Sequence, residues 1–205
     1  MAIFEEIKPW LDEYSQDFDL GYYYSFGGEY EASGKANESI VVNIPIAFML
    51  ILLLMVTQFN SIRKPFIILS TIPLGMIGVS IGLYLMNSYF GFMTLLGIIS
   101  LSGIVINNAI VLLERIKTEE QDNNKNPYDA IIEACISRFR PILLTTITTI
   151  FGLIPLWYSG GAMWEPMAIA IIFGLMFSTI LTLGFVPVLY SLLFKIKKQK
   201  VEDVK

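Results

Sequence analysis

The chain has 205 residues, of which 55% are hydrophobic and 16% charged, with a net charge of −4 at pH 7 and a mean hydropathy of +0.63. This is more apolar than an ordinary soluble domain, and the acidic balance leaves no basic face to neutralise nucleic-acid phosphates. There is no histidine and a single cysteine, Cys135, which excludes His-based catalysis, His-ligated metal sites and a disulfide within the chain.

The N-terminal stretch, residues 1–40, begins MAIFEEIKPWLDEY. It is acidic and aromatic and has no apolar core of the kind a signal peptide needs. Trp10, Leu11 and Tyr14 share one helical stripe, Tyr22 to Phe26 is strand-like, and Gly27, Gly28 and Gly34 punctuate the segment. A helix and a strand cannot bury a core alone. Residues 1–40 are therefore expected to be a short extracytoplasmic α/β remnant, the end of a larger domain.

A hydrocarbon layer about 30 Å thick takes about 20 apolar residues of helix. Five segments qualify: 41–59, 65–86, 91–113, 141–158 and 167–194. The last is the longest and is expected to tilt or to run past the interface. Between Val41 and Leu113 the only ionisable charges are Arg63 and Lys64. The fold class that follows is an all-α integral membrane protein with five transmembrane helices spread over 41–194.

The connecting segments sort by charge. The first carries Arg63 and Lys64, and the second, around Tyr89 and Phe90, carries none. The third has Arg115, Lys117, Arg138 and Arg140 at its edges. The fourth, Ser159 to Pro166, has neither Lys nor Arg, and the tail, 195–205, has Lys195, Lys197, Lys198 and Lys200. The positive-inside rule then puts the first and third loops and the C-terminus in the cytoplasm and the N-terminus outside, with Tyr89, Phe90, Trp157, Tyr158 and Trp164 at the outer interface. Within the third loop, Asn126-Pro127 reads as a helix start. Ala130, Ile131, Ala134 and Cys135 fall on one face, which predicts a short amphipathic helix over about 127–138 on the cytoplasmic surface.

Polar residues inside a span need a reason. Asn107 and Asn108 sit in the middle of the third span. An unpaired amide in hydrocarbon costs several kcal/mol, so the pair implies either a polar pathway through the bundle or hydrogen bonds between helices. The sequence leaves both open. Thr145, Thr146, Thr148 and Thr149 form a second cluster in the fourth span. Most are expected to bond the carbonyl one turn back; Thr145, Thr148 and Thr149 lean to one side and Thr146 points elsewhere. Gly75, Gly78, Gly82, Gly97 and Gly103 suggest close helix contacts, Gly78 and Gly82 at small-xxx-small spacing. Met49, Met55, Met76, Met86 and Met93 are scattered over several helices and read as apolar filling rather than a metal relay. No Asp, Glu, Lys or Arg lies deep in a span. There is no Gly-rich phosphate loop with a lysine and no nucleophile paired with a base, so no enzyme chemistry and no cofactor are expected.

The run Arg138-Phe139-Arg140-Pro141-Ile142-Leu143-Leu144-Thr145-Thr146, followed by Phe151-Gly152-Leu153-Ile154-Pro155-Leu156, resembles the eleventh transmembrane helix of resistance-nodulation-division (RND) efflux permeases of the hydrophobe and amphiphile type. Gly103 through Glu114 looks like their tenth helix. Ser70 to Gly75 is similar to the ninth, Phe185 to Tyr190 to the end of the twelfth, and Gly28 to Ser39 to the link from the porter domain into the eighth. The resemblance covers essentially the whole chain.

That resemblance implies a good deal. Such permeases have about twelve helices in two repeats, large periplasmic domains and a trimeric assembly in the bacterial inner membrane. They drive export with a proton gradient and work with a periplasmic adaptor and an outer-membrane channel. The matched part is the last five helices, so the chain is expected to be a C-terminal fragment, or the second piece of a split permease. Its partner would be the N-terminal half carrying the family's proton-binding Asp pair. By the same resemblance Thr145 falls at a functional threonine and Arg138 at a cytoplasmic-side arginine. Asn107 falls where drug exporters carry a lysine that pairs with the Asp dyad. Asparagine offers hydrogen bonds and no charge. Asn107, Asn108, Thr145 and Arg138 are thus the candidate proton-coupling residues. The alternatives are a truncated, non-transporting remnant or scaffold, and a related exporter of metal or lipid.

Overall fold

The computed structural model describes residues 2–15, 29–121 and 126–196. All of its regular structure is helical: α1 (Ala2–Tyr14), α2 (Glu29–Phe59), α3 (Arg63–Leu69), α4 (Ile72–Leu85), α5 (Phe92–Gln121), α6 (Pro127–Ser159) and α7 (Gly161–Leu193). The expected strand at Tyr22–Phe26 lies outside the described residues. The helical stripe of the N-terminal segment does form: α1 stacks Trp10 on Tyr14 at a centroid distance of 5.5 Å. The chain divides into two units, residues 1–47 and 48–205.

Five helical stretches are long and apolar enough to cross a membrane: Ser33–Phe59, Arg63–Leu85, Phe92–Gln121, Pro127–Ser159 and Gly161–Leu193. They stand where hydropathy puts five spans, but the helices run further than the apolar runs do. Residues 29–40 continue into the first span without a break. Their Glu, Ala and Lys content suits a helix, and Asn43 donates to the Ser39 carbonyl along it. The amphipathic segment over 127–138 is likewise not a separate surface helix. It continues through Pro141 into the fourth span, and its apolar face, Ala130, Ile131 and Ala134, is buried. Ile131 and Ala134 pack with Leu112, Leu113 and Ile116 of α5.

The second span is interrupted between α3 and α4. Pro73 has no N–H and crowds the preceding turn, and Thr71, fully buried, turns its hydroxyl to the Ile68 carbonyl. The fourth loop all but vanishes. Where an extended connection over Ser159–Pro166 is expected, α6 ends at Ser159 and α7 begins at Gly161, which takes φ +69°, a conformation glycine adopts without strain. Pro166 can then sit inside α7 because the carbonyl its missing N–H would have satisfied, that of Ala162, accepts a hydrogen bond from the Tyr89 hydroxyl at 2.7 Å.

Within residues 48–205, α7 is the central helix and packs against α4, α5 and α6. Its crossing with α4 is set by glycine. A Cβ at Gly78 would lie 2.6 Å from the Phe173 carbonyl oxygen and 2.7 Å from the Phe177 Cβ, and one at Gly82 would overlap the Phe173 side chain. Gly97 brings α5 similarly close to Met167 and Ala170. Gly103 is different, since nothing lies within 4 Å of where its Cβ would be. At the basic end of the bundle, Arg115 pairs with the buried Glu119. There the buried Tyr190 donates to the Glu120 carboxylate at 3.3 Å.

Candidate functional site

Three helices, α5, α6 and α7, meet along a polar seam. α5 contributes Asn108, α6 contributes Thr146, and α7 contributes Ser178, Thr179 and Thr182, which follow one another at helical spacing. Thr146 and Thr179, both buried, share a hydrogen bond of 2.9 Å between their hydroxyls. Ser178 and Thr179 also donate to the Leu175 carbonyl. Asn108, Ser178, Thr179 and Thr182 line a small cleft, closed on its apolar side by Val105 and Ile142.

The expected candidates divide around this seam. Asn108 is half-buried and borders the cleft, whereas its neighbour Asn107 is exposed. Thr145 is also exposed and donates to the Pro141 carbonyl at 2.8 Å. Arg138 is half-buried, and its Nε has no hydrogen-bond partner. The structure does not join Asn107, Asn108, Thr145 and Arg138 through hydrogen bonds among the described residues. Of the threonines, Thr145, Thr148 and Thr149 bond back along α6. Thr146, expected to point away from the others, is the one that reaches another helix. It is set apart from Thr145 by a single position, which rotates it by about 100° on the helix, toward α7. Ser178, Thr179 and Thr182 carry no signal in the sequence beyond that of other small hydroxyls in the long apolar fifth span, and only the packing of α7 buries them together.

Outside the seam, α5 and α6 expose two further stripes. On α5 these are Ser100, Gly103 and Asn107; on α6 they are Thr145, Thr148 and Gly152. Both are small or polar at helical spacing, in contrast to the adjacent exposed Leu144, Ile147 and Phe151. The spacing of three and four residues is that of a helix contact face, and small residues there let another backbone come close.

The chain matches the model of the AcrB/AcrD/AcrF family over residues 8–194. It is 35% identical over 179 residues to the multidrug resistance protein MdtC of Pantoea ananatis, covering 86% of this chain and 18% of that protein. It is 36% identical over 169 residues to MdtC of Escherichia coli strain UTI89, covering 81% of this chain and 16% of that protein. Its fold is similar to that of a heavy metal efflux pump in a crystal structure, with a TM-score of 0.72 at 27% identity, covering 95% of this chain and 19% of the pump. The chain therefore spans under a fifth of the length of these relatives. Long apolar helices, the polar seam and a match along nearly the whole sequence converge: this multi-pass membrane chain belongs to the AcrB/AcrD/AcrF family of RND permeases.

Proposed function

We propose that this chain is the C-terminal membrane part of a proton-driven RND exporter of hydrophobic or amphiphilic compounds in the inner membrane, a secondary transporter and not an enzyme. Completed, it would work with the N-terminal half that carries the Asp pair, as a trimer joined to a periplasmic adaptor and an outer-membrane channel. Its C-terminus and the ends bearing Arg63, Lys117 and Arg138 would face the cytoplasm.

The observation that carries this reading is the pair of exposed polar stripes on α5 and α6. A mid-span amide such as Asn107 is costly against lipid, so the stripe supports a seat for further helices. Asn107 and Thr145 would then meet the partner's carboxylates. Thr145 has spent its proton on the Pro141 carbonyl, which leaves its oxygen free to accept. Asn107 can both donate and accept, but it cannot neutralise a carboxylate as a lysine would. A carboxylate facing it would hold its proton to higher pH than one facing a lysine.

The experiment is export by the assembled protein carrying Asn107→Leu. Export is expected to be lost at normal protein levels. Unchanged export would contradict a coupling role for this face. The choice of drug over metal rests on the relatives named for multidrug resistance, the more similar in sequence. The methionines also give no support to a metal path: Met55 is buried in the core while Met49 and Met76 are exposed.

A further inference from the structure

We propose that the cleft between α5, α6 and α7 holds one fixed water molecule that bridges Asn108 to Thr182, a site that does not depend on the transport reading. Thr182 is 6% exposed, and its hydroxyl oxygen has no hydrogen-bond partner. Its neighbours one turn earlier do not share this state, since Ser178 and Thr179 each donate to the Leu175 carbonyl. A buried hydroxyl left alone is costly, and the open space beside it is the cleft.

The dimensions select the occupant. The cleft has room of 10 Å³, about what one water needs when it also finds two to four polar partners. Those partners are present: the Thr182 hydroxyl, the Asn108 amide, and the oxygens of Ser178 and Thr179, which can accept while donating elsewhere. No carboxylate lines the cleft, which disfavours a cation, and the volume excludes an organic ligand. The water would tie α5 to α7 beside the direct Thr146–Thr179 bond that ties α6 to α7. The three helices would then be joined through one direct contact and one that can shift without breaking.

The test is a structure of the complete membrane-embedded protein at a resolution that shows ordered waters, for the wild type, Thr182→Ser and Thr182→Val. The expected result is a single peak about 2.7–3.2 Å from both the Thr182 oxygen and the Asn108 amide. It should be kept with serine and lost with valine. Thermal unfolding of each variant checks that the fold survives. If the valine variant does not fold, wild type and serine variant decide: a peak in both supports the site. An empty cleft with the Thr182 hydroxyl turned to the Ser178 carbonyl overturns it. So does a peak that persists unchanged in the valine variant, or one ringed by cation-length contacts to five or more oxygens, about 2.4 Å each.

Discussion

Threonine 146 shows how little a single hydroxyl contributes when its partner has an alternative. Thr179 bonds Thr146 at 2.9 Å but also holds the Leu175 carbonyl at 2.7 Å. Deleting the Thr146 hydroxyl therefore does not strand Thr179, which keeps the Leu175 carbonyl, whereas deleting the Thr179 hydroxyl takes away the partner of the buried Thr146. In a double-mutant cycle of Thr146→Val and Thr179→Val, read by unfolding in detergent, the coupling is expected to be about 0.6 kcal/mol and no more than about 1.7 kcal/mol. A coupling well above that range would mean that the back-bond to Leu175 is not made in the membrane. Side-chain identity alone did not reveal this pair. Thr145 and Thr146 are the same residue one position apart, and only the placement of α7 decides which of them is buried. Asn107 and Asn108 separate in the same way: both amides are conspicuous in the sequence, and only the packing assigns one to the seam and the other to the exposed stripe.

At the scale of elements, glycine sets how closely helices approach. Gly78 and Gly82 are legible in sequence as a close-contact pair, and they are where α4 meets Phe173 and Phe177 of α7. Gly78→Val would force that crossing apart, with an expected loss of about 1–3 kcal/mol, seen as a lower unfolding temperature and a lower yield of folded protein. Gly103 carries the same composition signal but meets nothing within this chain. Gly103→Leu is expected to leave this chain's own unfolding temperature unchanged and to impair export by the assembled permease. A large drop in stability from Gly103→Leu in the isolated chain would contradict the assignment of that stripe to a partner. Helix ends were the least legible feature. Hydropathy marks where a helix is apolar, not where it stops, so residues 29–40 were readable as polar and 127–138 as a short amphipathic helix, but neither as one unbroken helix with the span that follows. The turn at Gly160 and Gly161 was obscured for a related reason. Pro166 suggests a loop, and only the Tyr89 hydroxyl, from a distant part of the sequence, supplies the bond that lets it sit in a helix.

At the scale of the whole molecule, burial is lopsided. More than half of the most apolar stretch of α7 is buried, at 56%, against 6% for that of α2 and 11% for that of α6. Lipid can cover the leucines and phenylalanines of α2 and α6, but it cannot satisfy Asn107, and it has no reason to face a stripe of glycine and threonine. One finished interior and one polar outer face suit a bundle that packs against further helices. The most direct measurement is the DNA sequence immediately upstream of Met1 in the source genome. The continuing frame, or an adjacent one, is expected to encode the remaining spans of an RND permease, including a helix with an intramembrane Asp pair to meet Asn107 and Thr145. Finding no such helices there or elsewhere in the genome would contradict proton-coupled export and leave a membrane remnant without a partner.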